Sequence, residues 1–245
     1  MLEVIDNKVL VFWFENFASN ITAVELSEEV ILIDSSLYPE KFNKIIDLVQ
    51  LRTKKPVKKV FLTHHHPDHS FGAIFQGNLE IILSEKTLIK LFDYDDNLLK
   101  KISKESEYEF SDIQKKLSRC KFNVFRNDNL NTSSKTVISG ISLGGHTEDS
   151  TIYKIYPENI LIAGDLIVSG VHSELNQANI DNWIKILEEL KKQNIKTIIP
   201  GHGKPGNIQL INNQINYLNT FEKEGKESLL KKFNKYKYPE LLLNF

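Results

Sequence analysis

Residues 63–70 read Thr-His-His-His-Pro-Asp-His-Ser, and this stretch constrains the chain more than any other. It holds four of the seven histidines in the sequence. Imidazole and carboxylate groups are ligands that Zn²⁺ and similar divalent ions accept. Because Pro67 cannot sit in the interior of a regular helix, we predict a rigid loop whose ligands fan out towards two ions. The alternative, a solvated polar loop, would crowd four weakly basic rings without a cation.

The length and charge of the chain narrow its class. With 245 residues, of which 41% are hydrophobic, residues 1–245 fit one large domain with a substantial core. The formal net charge is −1, so nothing favours nucleic acid or an anionic membrane as a partner. We expect a small-molecule substrate and leave a homo-oligomer open.

The cellular location is inferred from what the sequence lacks. Cys120 is the only cysteine, so an intrachain disulfide is impossible and a reducing compartment is expected. The N-terminal residues show no basic region followed by an apolar run, and no apolar stretch approaches the roughly 20 residues that span a bilayer. The sequence therefore predicts a cytoplasmic protein.

The order of hydrophobic segments predicts a mixture of strands and helices. Three short antiparallel strands come first, and a helix that begins at Pro39 leads to a strand that ends at the histidine loop. Residues 85–119 are charged, with apolar residues at helical spacing, and we predict an insertion of two helices there. Later segments predict a hairpin, a helix capped by Asn179, a strand and a final helix. The predicted strands span 8–14, 21–26, 30–34, 57–62, 79–83, 121–125, 135–143, 151–155, 159–163 and 196–199, and the two later helices span 180–190 and 208–218.

Further candidate ligands follow other predicted strands. His146 lies in Gly144-Gly145-His146-Thr147, Asp165 follows Gly164, and His202 lies in Pro200-Gly201-His202-Gly203. Sites in α/β folds often form where strands end at their carboxyl ends. These residues and the histidine loop therefore form an ordered set of metal-ligand types.

The set resembles the metallo-β-lactamase-fold metallo-hydrolase superfamily, and in particular the motifs of its hydroxyacylglutathione hydrolases. That pattern is H-x-H-x-D-H, then G-H-T, then G-D after a strand, then P-G-H-G. The resemblance implies an α+β fold, a four-layer αβ/βα sandwich of two sheets with helices outside, here with a helical insertion.

The resemblance also implies a binuclear metal site. It assigns His64, His66 and His146 to one ion, Asp68, His69 and His202 to the second, and Asp165 to a bridge between them. Zn²⁺ is the expected metal, with iron and manganese as alternatives. A water shared by two such ions loses a proton near neutral pH, and the implied reaction is its attack on a substrate. Asp68 is the candidate catalytic residue for proton delivery to the leaving group.

Within the superfamily, we expect a metal-dependent hydrolase of a small ester, lactone or thioester that acts through a metal-bridging hydroxide. A mononuclear-iron sulfur dioxygenase acting on persulfides shares the motifs and is the main alternative. β-Lactam hydrolysis ranks lower because Asp165 stands where β-lactamases use cysteine or serine. A phosphodiesterase or nuclease also ranks lower, and the intact ligand set argues against a non-catalytic binding module.

Three remaining features carry weaker expectations. His65 points away from the ligands if the loop is extended, so we expect a structural role, and we expect His172 not to be a ligand. Glu148 and Asp149, next to the second motif, could repel anionic substrates or hydrogen-bond polar ones. We expect residues 85–119, with their aromatic side chains Phe92, Tyr94, Tyr108 and Phe110, to pack over the mouth of the site.

Overall fold

The computed structural model describes residues 1–14, 18–106, 109–110, 112–125, 129–130 and 136–242. In these residues the chain forms two β-sheets that pack face to face, with α-helices on both outer surfaces. The fold is α+β, with the layers arranged as helices, sheet, sheet and helices.

The first sheet contains the N-terminal strands, and its strand pairing changes from antiparallel to parallel at the centre. Its first four strands pair antiparallel, and the next three join in parallel. The order across the sheet follows the chain: β1 (Leu2–Asp6), β2 (Val9–Phe12), β3 (Ile21–Glu25), β4 (Val30–Ile33), β5 (Val57–Phe61), β6 (Glu80–Ser84) and β7 (Lys121–Phe125). Parallel pairing brings the carboxyl ends of β4 and β5 together at one edge of the sandwich.

The second sheet also combines antiparallel and parallel pairs. Its strands lie in the order β12-β11-β10-β9-β8, and only β11 and β12 pair in parallel. The ranges are β8 (Asn129–Leu130), β9 (Val137–Ser142), β10 (Thr151–Tyr156), β11 (Ile160–Ile162) and β12 (Thr197–Ile199).

Three apolar clusters hold the layers together. The inner cluster lies between the sheets and includes Val11, Ile33 and Phe61 from the first sheet and Tyr153 and Ile162 from the second. Each of the two outer clusters joins one sheet to the helices that cover it. Burial of this apolar surface is the main favourable contribution to folding.

The helices begin and end at residues with suitable local chemistry. Pro39 begins α1 because its missing N–H costs nothing in a first turn, and the Asn179 side chain caps α6 by accepting from the Asn182 N–H. The helices are α1 (Pro39–Thr53), α2 (Pro67–Gln76), α3 (Glu85–Phe92), α4 (Asp96–Ser106), α5 (Ile113–Leu117), α6 (Ile180–Lys191) and α7 (Gln209–Lys232).

The sequence predictions agree with this order of elements and differ mainly at two places. Strand β1 was not predicted, because its residues are half exposed and mix charged with apolar side chains. Residues 85–119 contain three helices, α3 to α5, instead of two; their buried residues, including Leu91, Phe110 and Ile113, pack in the same cluster as α2. Of the aromatic residues predicted there, Tyr108 lies outside the described residues.

No helix among the described residues is both long and apolar enough to cross a bilayer.

Candidate metal centre

The candidate ligands meet at one end of the sandwich, where strands from both sheets end. Strand β5 leads to His64 and β9 leads to His146, while β11 and β12 end three residues before Asp165 and His202. A hydrogen bond of 2.8 Å from the Thr151 N–H to the Thr63 carbonyl joins the two sheets beside the site. Parallel pairing within each sheet is what brings these loops to the same edge.

The histidine stretch is partly helical, which corrects the prediction of a rigid loop throughout. Pro67 is the first residue of α2, and His66 precedes it as the N-cap. A proline is tolerated in this first position because no intrahelical partner exists there for an N–H. Asp68 and His69 therefore project from the first turn of a helix, whereas His64 and His66 come from the extended segment before it.

All seven predicted ligands lie together in two groups. One group contains His64, His66, His146 and Asp165, and the other contains Asp68, His69 and His202; within each group one donor atom per residue lies within 4.8 Å of the others. Asp165 also approaches the second group: its carboxylate oxygens lie 3.2 Å from His69 Nε2 and 3.4 Å from His202 Nε2. This carboxylate thus stands between the two groups.

Two distances between imidazole nitrogens match the spacing of ligands around one ion. His66 Nδ1 lies 3.2 Å from His146 Nε2, and His69 Nε2 lies 3.3 Å from His202 Nε2. Two nitrogens about 2.0–2.1 Å from a tetrahedral zinc ion lie about 3.3–3.4 Å apart. The donor sets therefore fit divalent ions.

Hydrogen bonds outside the centre turn the histidine lone pairs inwards. Thr63 Oγ1 donates to Asp34, so it accepts from His64 Nδ1, which leaves His64 Nε2 as a lone pair facing the site. His146 Nδ1 donates to the Glu174 carbonyl at 3.1 Å, with the same result. His64 Nε2 is buried and finds no hydrogen-bond partner among the described residues. A metal ion would satisfy that atom.

Asp34 anchors the second group, and the sequence analysis missed it. It follows β4, next to β5, and its carboxylate accepts from the Thr63 N–H at 2.8 Å and from His69 Nδ1 at 2.9 Å. A carboxylate behind a metal-ligating histidine fixes the ring and increases its basicity. Its position at the carboxyl end of a strand that neighbours β5 was the signal that could have identified it.

Burial and the carboxylates move the histidine pKa values in opposite directions. Burial lowers the pKa of His64 and His66, and it lowers that of His146 to about 3. For His202, burial also acts to lower the pKa, but Asp165 and Asp68 outweigh it and raise the pKa to about 9. The carboxylates at the second group therefore attract positive charge, which is supplied by protons or by a cation.

His69 and the two aspartates of the centre share this balance. Burial would lower the pKa of His69, but Asp68, Asp165 and Asp34 raise it well above its ordinary value. Burial would raise the pKa of Asp165, but His202 and His69 hold it well below its usual range, and His69 likewise outweighs burial at Asp68. Both carboxylates are thus in the ionised form that a divalent ion requires.

Close packing around Asp165 requires glycine at two positions. A Cβ atom on Gly201 would lie 1.9 Å from Asp165 Oδ1, and one on Gly164 would lie 2.7 Å from Thr63 Oγ1. The Gly201 N–H also donates to the Gly164 carbonyl at 2.8 Å. These glycines let the loops after β11 and β12 approach each other behind the ligands.

Two residues just before β3 hydrogen-bond to the loops that carry Asp68 and His202. The Asn20 side chain donates to the carbonyl groups of Pro200 and Gly203, 2.8 and 2.7 Å away on either side of His202. The Ser19 hydroxyl donates to the backbone carbonyls of Ser35 and Asp68. Neither residue was singled out from the sequence, because the contact joins segments far apart in the chain.

Asp149 is buried in the protein, which corrects its predicted role at the substrate. Its carboxylate accepts from the His65 N–H at 2.8 Å and from His65 Nδ1 at 2.9 Å. Burial would raise the pKa of Asp149, but the His65 hydrogen bond and charge lower it to about 2. Glu148 is exposed and pairs with Lys86 and Lys90 of α3 at 3.4 and 3.8 Å. His65 is therefore bound to Asp149 and is not one of the converging donors.

A small cavity, shallow and open to solvent with no enclosed room for a water molecule, lies beside the predicted ligands. His146, Asp165 and His202 line it, together with Glu174 and His172 from the following loop, Val168 and Ser173. His172 Nδ1 lies 3.0 Å from the Tyr217 hydroxyl, so its ring is engaged away from the ligand groups.

The helical segment after β6 contacts the histidine loop through Tyr94. The Tyr94 hydroxyl donates to the His65 carbonyl at 2.7 Å, and the Tyr94 ring packs edge-on against Phe71. Phe110 is fully buried against Phe71, whereas Phe92 is 46% exposed. The segment lies beside the ligands, with its buried aromatic residues turned into the core.

Comparison with known proteins agrees with this architecture. The sequence profile described as the metallo-beta-lactamase superfamily matches residues 15–75. The chain is 28% identical over 204 residues to a metallo-beta-lactamase type 2 of Bacillus sp. (strain 170), covering 80% of this chain and 71% of that protein. The corresponding protein of Bacillus cereus is 27% identical over 206 residues, covering 80% and 72%.

Solved structures show the same fold. The metallo-beta-lactamase from Pontibacter korlensis superposes with a TM-score of 0.67 at 19% identity and covers 89% of this chain and 98% of its own. The metallo-beta-lactamase IND-7 superposes with a TM-score of 0.68 at 20% identity, covering 89% and 97%. The sandwich, the converging donor groups and these similarities agree: the chain has the fold of the metallo-β-lactamases and resembles that superfamily in sequence.

Proposed function

We propose that this protein is a hydrolase of a small acyl substrate and that it uses two divalent ions, with Zn²⁺ the expected metal. The observation that carries the proposal is the convergence of seven donor side chains in two groups, with Asp165 between them. His64, His66 and His146 would hold one ion, Asp68, His69 and His202 the other, and Asp165 both.

Two such ions supply a water that ionises near neutral pH and a positive charge that polarises a carbonyl oxygen. The chain's own residues have the remaining tasks. Asp34 and Thr63 orient His69 and His64 by accepting from their outer nitrogens. Cys120, the only cysteine of the sequence, is not placed to act as a covalent acyl carrier, because its thiol is hydrogen-bonded to the Ile74 and Lys116 carbonyls away from the candidate ligands.

Asp68 is the residue we assign to proton transfer. Its side chain is 22% exposed, compared with at most 9% for those of His64, His69, His146, His202 and Asp165. Its Oδ2 lies 3.3 Å from His202 Nε2 and 3.4 Å from His69 Nε2. A carboxylate that lies among the candidate ligands and is partly exposed could pass a proton to a leaving group.

β-Lactam hydrolysis is a second candidate, and the relatives are the observation that favours it. Several curated relatives are named metallo-beta-lactamases. Against it stands Asp165, in the position where the β-lactamases of the superfamily use cysteine or serine. A substrate panel that includes a β-lactam separates the two.

The decisive experiment combines metal analysis with that panel. Protein saturated with Zn²⁺ or Mn²⁺ is expected to hold two ions per chain and to cleave an ester, lactone or thioester, with a rate that rises through one ionisation near neutral pH. Asp68→Ala is expected to abolish turnover, with Asp47→Asn on the exposed face of α1 as the control.

Two outcomes would overturn the proposal. Turnover that survives both chelation and Asp68→Ala would place the chemistry elsewhere. One tightly held iron per chain, with oxygen uptake on a persulfide and none of the acyl substrates cleaved, would identify a sulfur dioxygenase instead.

Asp165→Asn tests the two-ion arrangement directly. The amide keeps the size of the side chain but removes the negative charge between the groups, so the second ion should bind at least tenfold more weakly while the fold persists. Competition with a chromogenic chelator measures this. Unchanged binding of both ions would contradict a bridging role.

A further inference from the structure

The cavity beside the ligands has an unusual charge. Of the seven residues that line it, Glu174 and Asp165 are acidic, three are histidines, and none is a lysine or arginine. Glu174 is held in place from both sides: its backbone carbonyl accepts from His146 Nδ1 at 3.1 Å, and its Oε1 accepts from the Asn176 side chain at 3.2 Å. Glu174 is thus held at the edge of the centre, beside His146, Asp165 and His202.

Other carboxylates already balance the charge that two ions would bring. Asp68 and Asp165 lie within the centre, and Asp34 sits directly behind His69. Together with Glu174, these four carboxylates match the four positive charges of two divalent ions. A centre with this balance would have no excess positive charge with which to attract an anion.

Two lysines of α3 are themselves paired. Lys86 and Lys90 both face Glu148, which comes two residues after His146. Their charge is therefore partly compensated, and they are not among the residues that line the cavity.

From these charges we infer that Glu174 is a specificity residue that selects substrates with a cationic or neutral group beside the scissile bond and disfavours those with a carboxylate there. The inference rests on the proposed function and names the substrate class for it. β-Lactam antibiotics carry a carboxylate next to the ring, so they fall in the disfavoured class. A short acyl ester or thioester with an ammonium group falls in the favoured class.

The test uses small thiols, because a thiolate binds divalent ions whether or not the protein turns over a substrate. The zinc-loaded full chain is titrated calorimetrically with 2-aminoethanethiol, 2-mercaptoethanol and 3-mercaptopropionate, which differ in the charge of the tail. Wild-type protein, Glu174→Gln and the control Glu148→Gln are compared at one pH. The ratio between proteins for each thiol cancels the thiol's own acidity.

Glu174→Gln should weaken the binding of the cationic thiol and strengthen the binding of the anionic thiol, so that the ratio of their affinities changes about fivefold to tenfold. The affinity for the neutral thiol should change little. The change should shrink at high salt because the cavity is partly open. Glu148→Gln should leave the ratio within twofold of wild type, and the zinc content of all three proteins should be equal.

The outcomes separate this inference from the proposal on which it rests. Wild-type protein that holds no metal ions would overturn the proposed function and this inference with it. Protein that binds two ions and all three thiols, but whose ratio is unmoved by Glu174→Gln or moves equally with Glu148→Gln, would overturn the assignment of Glu174 alone.

Discussion

Asp149 accepts two hydrogen bonds from His65, one from the backbone N–H at 2.8 Å and one from Nδ1 at 2.9 Å. These residues come from the two loops that carry His64 and His66 on one side and His146 on the other. The pair thus ties together the segments that carry His64, His66 and His146, which would hold the first of the two proposed ions.

Replacing Asp149 should destabilise the protein strongly. Asp149→Ala leaves two donors of His65 buried without an acceptor, and we expect the free energy of unfolding to fall by about 2–4 kcal/mol. Asp149→Asn keeps one acceptor oxygen, so its free energy of unfolding should fall by less. Urea unfolding of the metal-free protein measures both. The exposed Asp47→Asn serves as the control, and equal stability of Asp149→Ala and wild type would contradict the role of the pair.

The same carboxyl group should contribute to stability in a defined pH range. The pKa of Asp149 falls from its ordinary 3.8 to about 2 in the folded protein. A lowered folded pKa means that the stabilisation, on the order of 2 kcal/mol, is fully present above pH 3.8 and is lost as the pH falls towards 2. The stability difference between wild type and Asp149→Asn should therefore shrink between these values. A difference that is constant down to pH 2 would contradict it.

Gly201→Ala should disrupt the centre. The added Cβ would lie 1.9 Å from Asp165 Oδ1 and 2.7 Å from the carbonyl carbon of Gly164, so either the carboxylate or the loop must move. We expect a loss of metal affinity of at least tenfold, measured by chelator competition, and a lower melting temperature. Gly206→Ala is the matched control, because its Cβ would meet only the flexible Leu210 side chain at 3.1 Å. Similar effects of the two substitutions would argue against a special role for Gly201.

Tyr94→Phe tests the link between the helical segment and the histidine loop. It removes the hydroxyl that donates to the His65 carbonyl at 2.7 Å and leaves that buried acceptor without this partner. The expected cost is about 1–2 kcal/mol in the free energy of unfolding. Tyr156→Phe, at a tyrosine that is 40% exposed, should change the stability by less than about 0.5 kcal/mol. If Tyr94→Phe changes the free energy of unfolding as little as Tyr156→Phe does, the hydroxyl does not stabilise the loop.

The ligand types and their order could be predicted from the sequence because each motif is local. A histidine or aspartate that follows a short apolar segment within a few residues stands near the end of a strand, and His146, Asp165 and His202 all lie three or four residues after one. The alternation in residues 64–69 likewise specified which side chains can bind a metal. These signals depend on neighbours along the chain, and the sequence contains them in full.

The tertiary structure decided what stands behind and beside those ligands. Asp34, Asp149 and Glu174 resemble ordinary surface acids in the sequence, and only the pairing of strands and the meeting of two sheets places them against His69, His65 and His146. The helical start at Pro67 is also a tertiary outcome, since the same proline is compatible with a loop. A ligand's identity is a local property of the chain, whereas the charge and hydrogen bonding around it are set by residues that become neighbours only when the sheets pack.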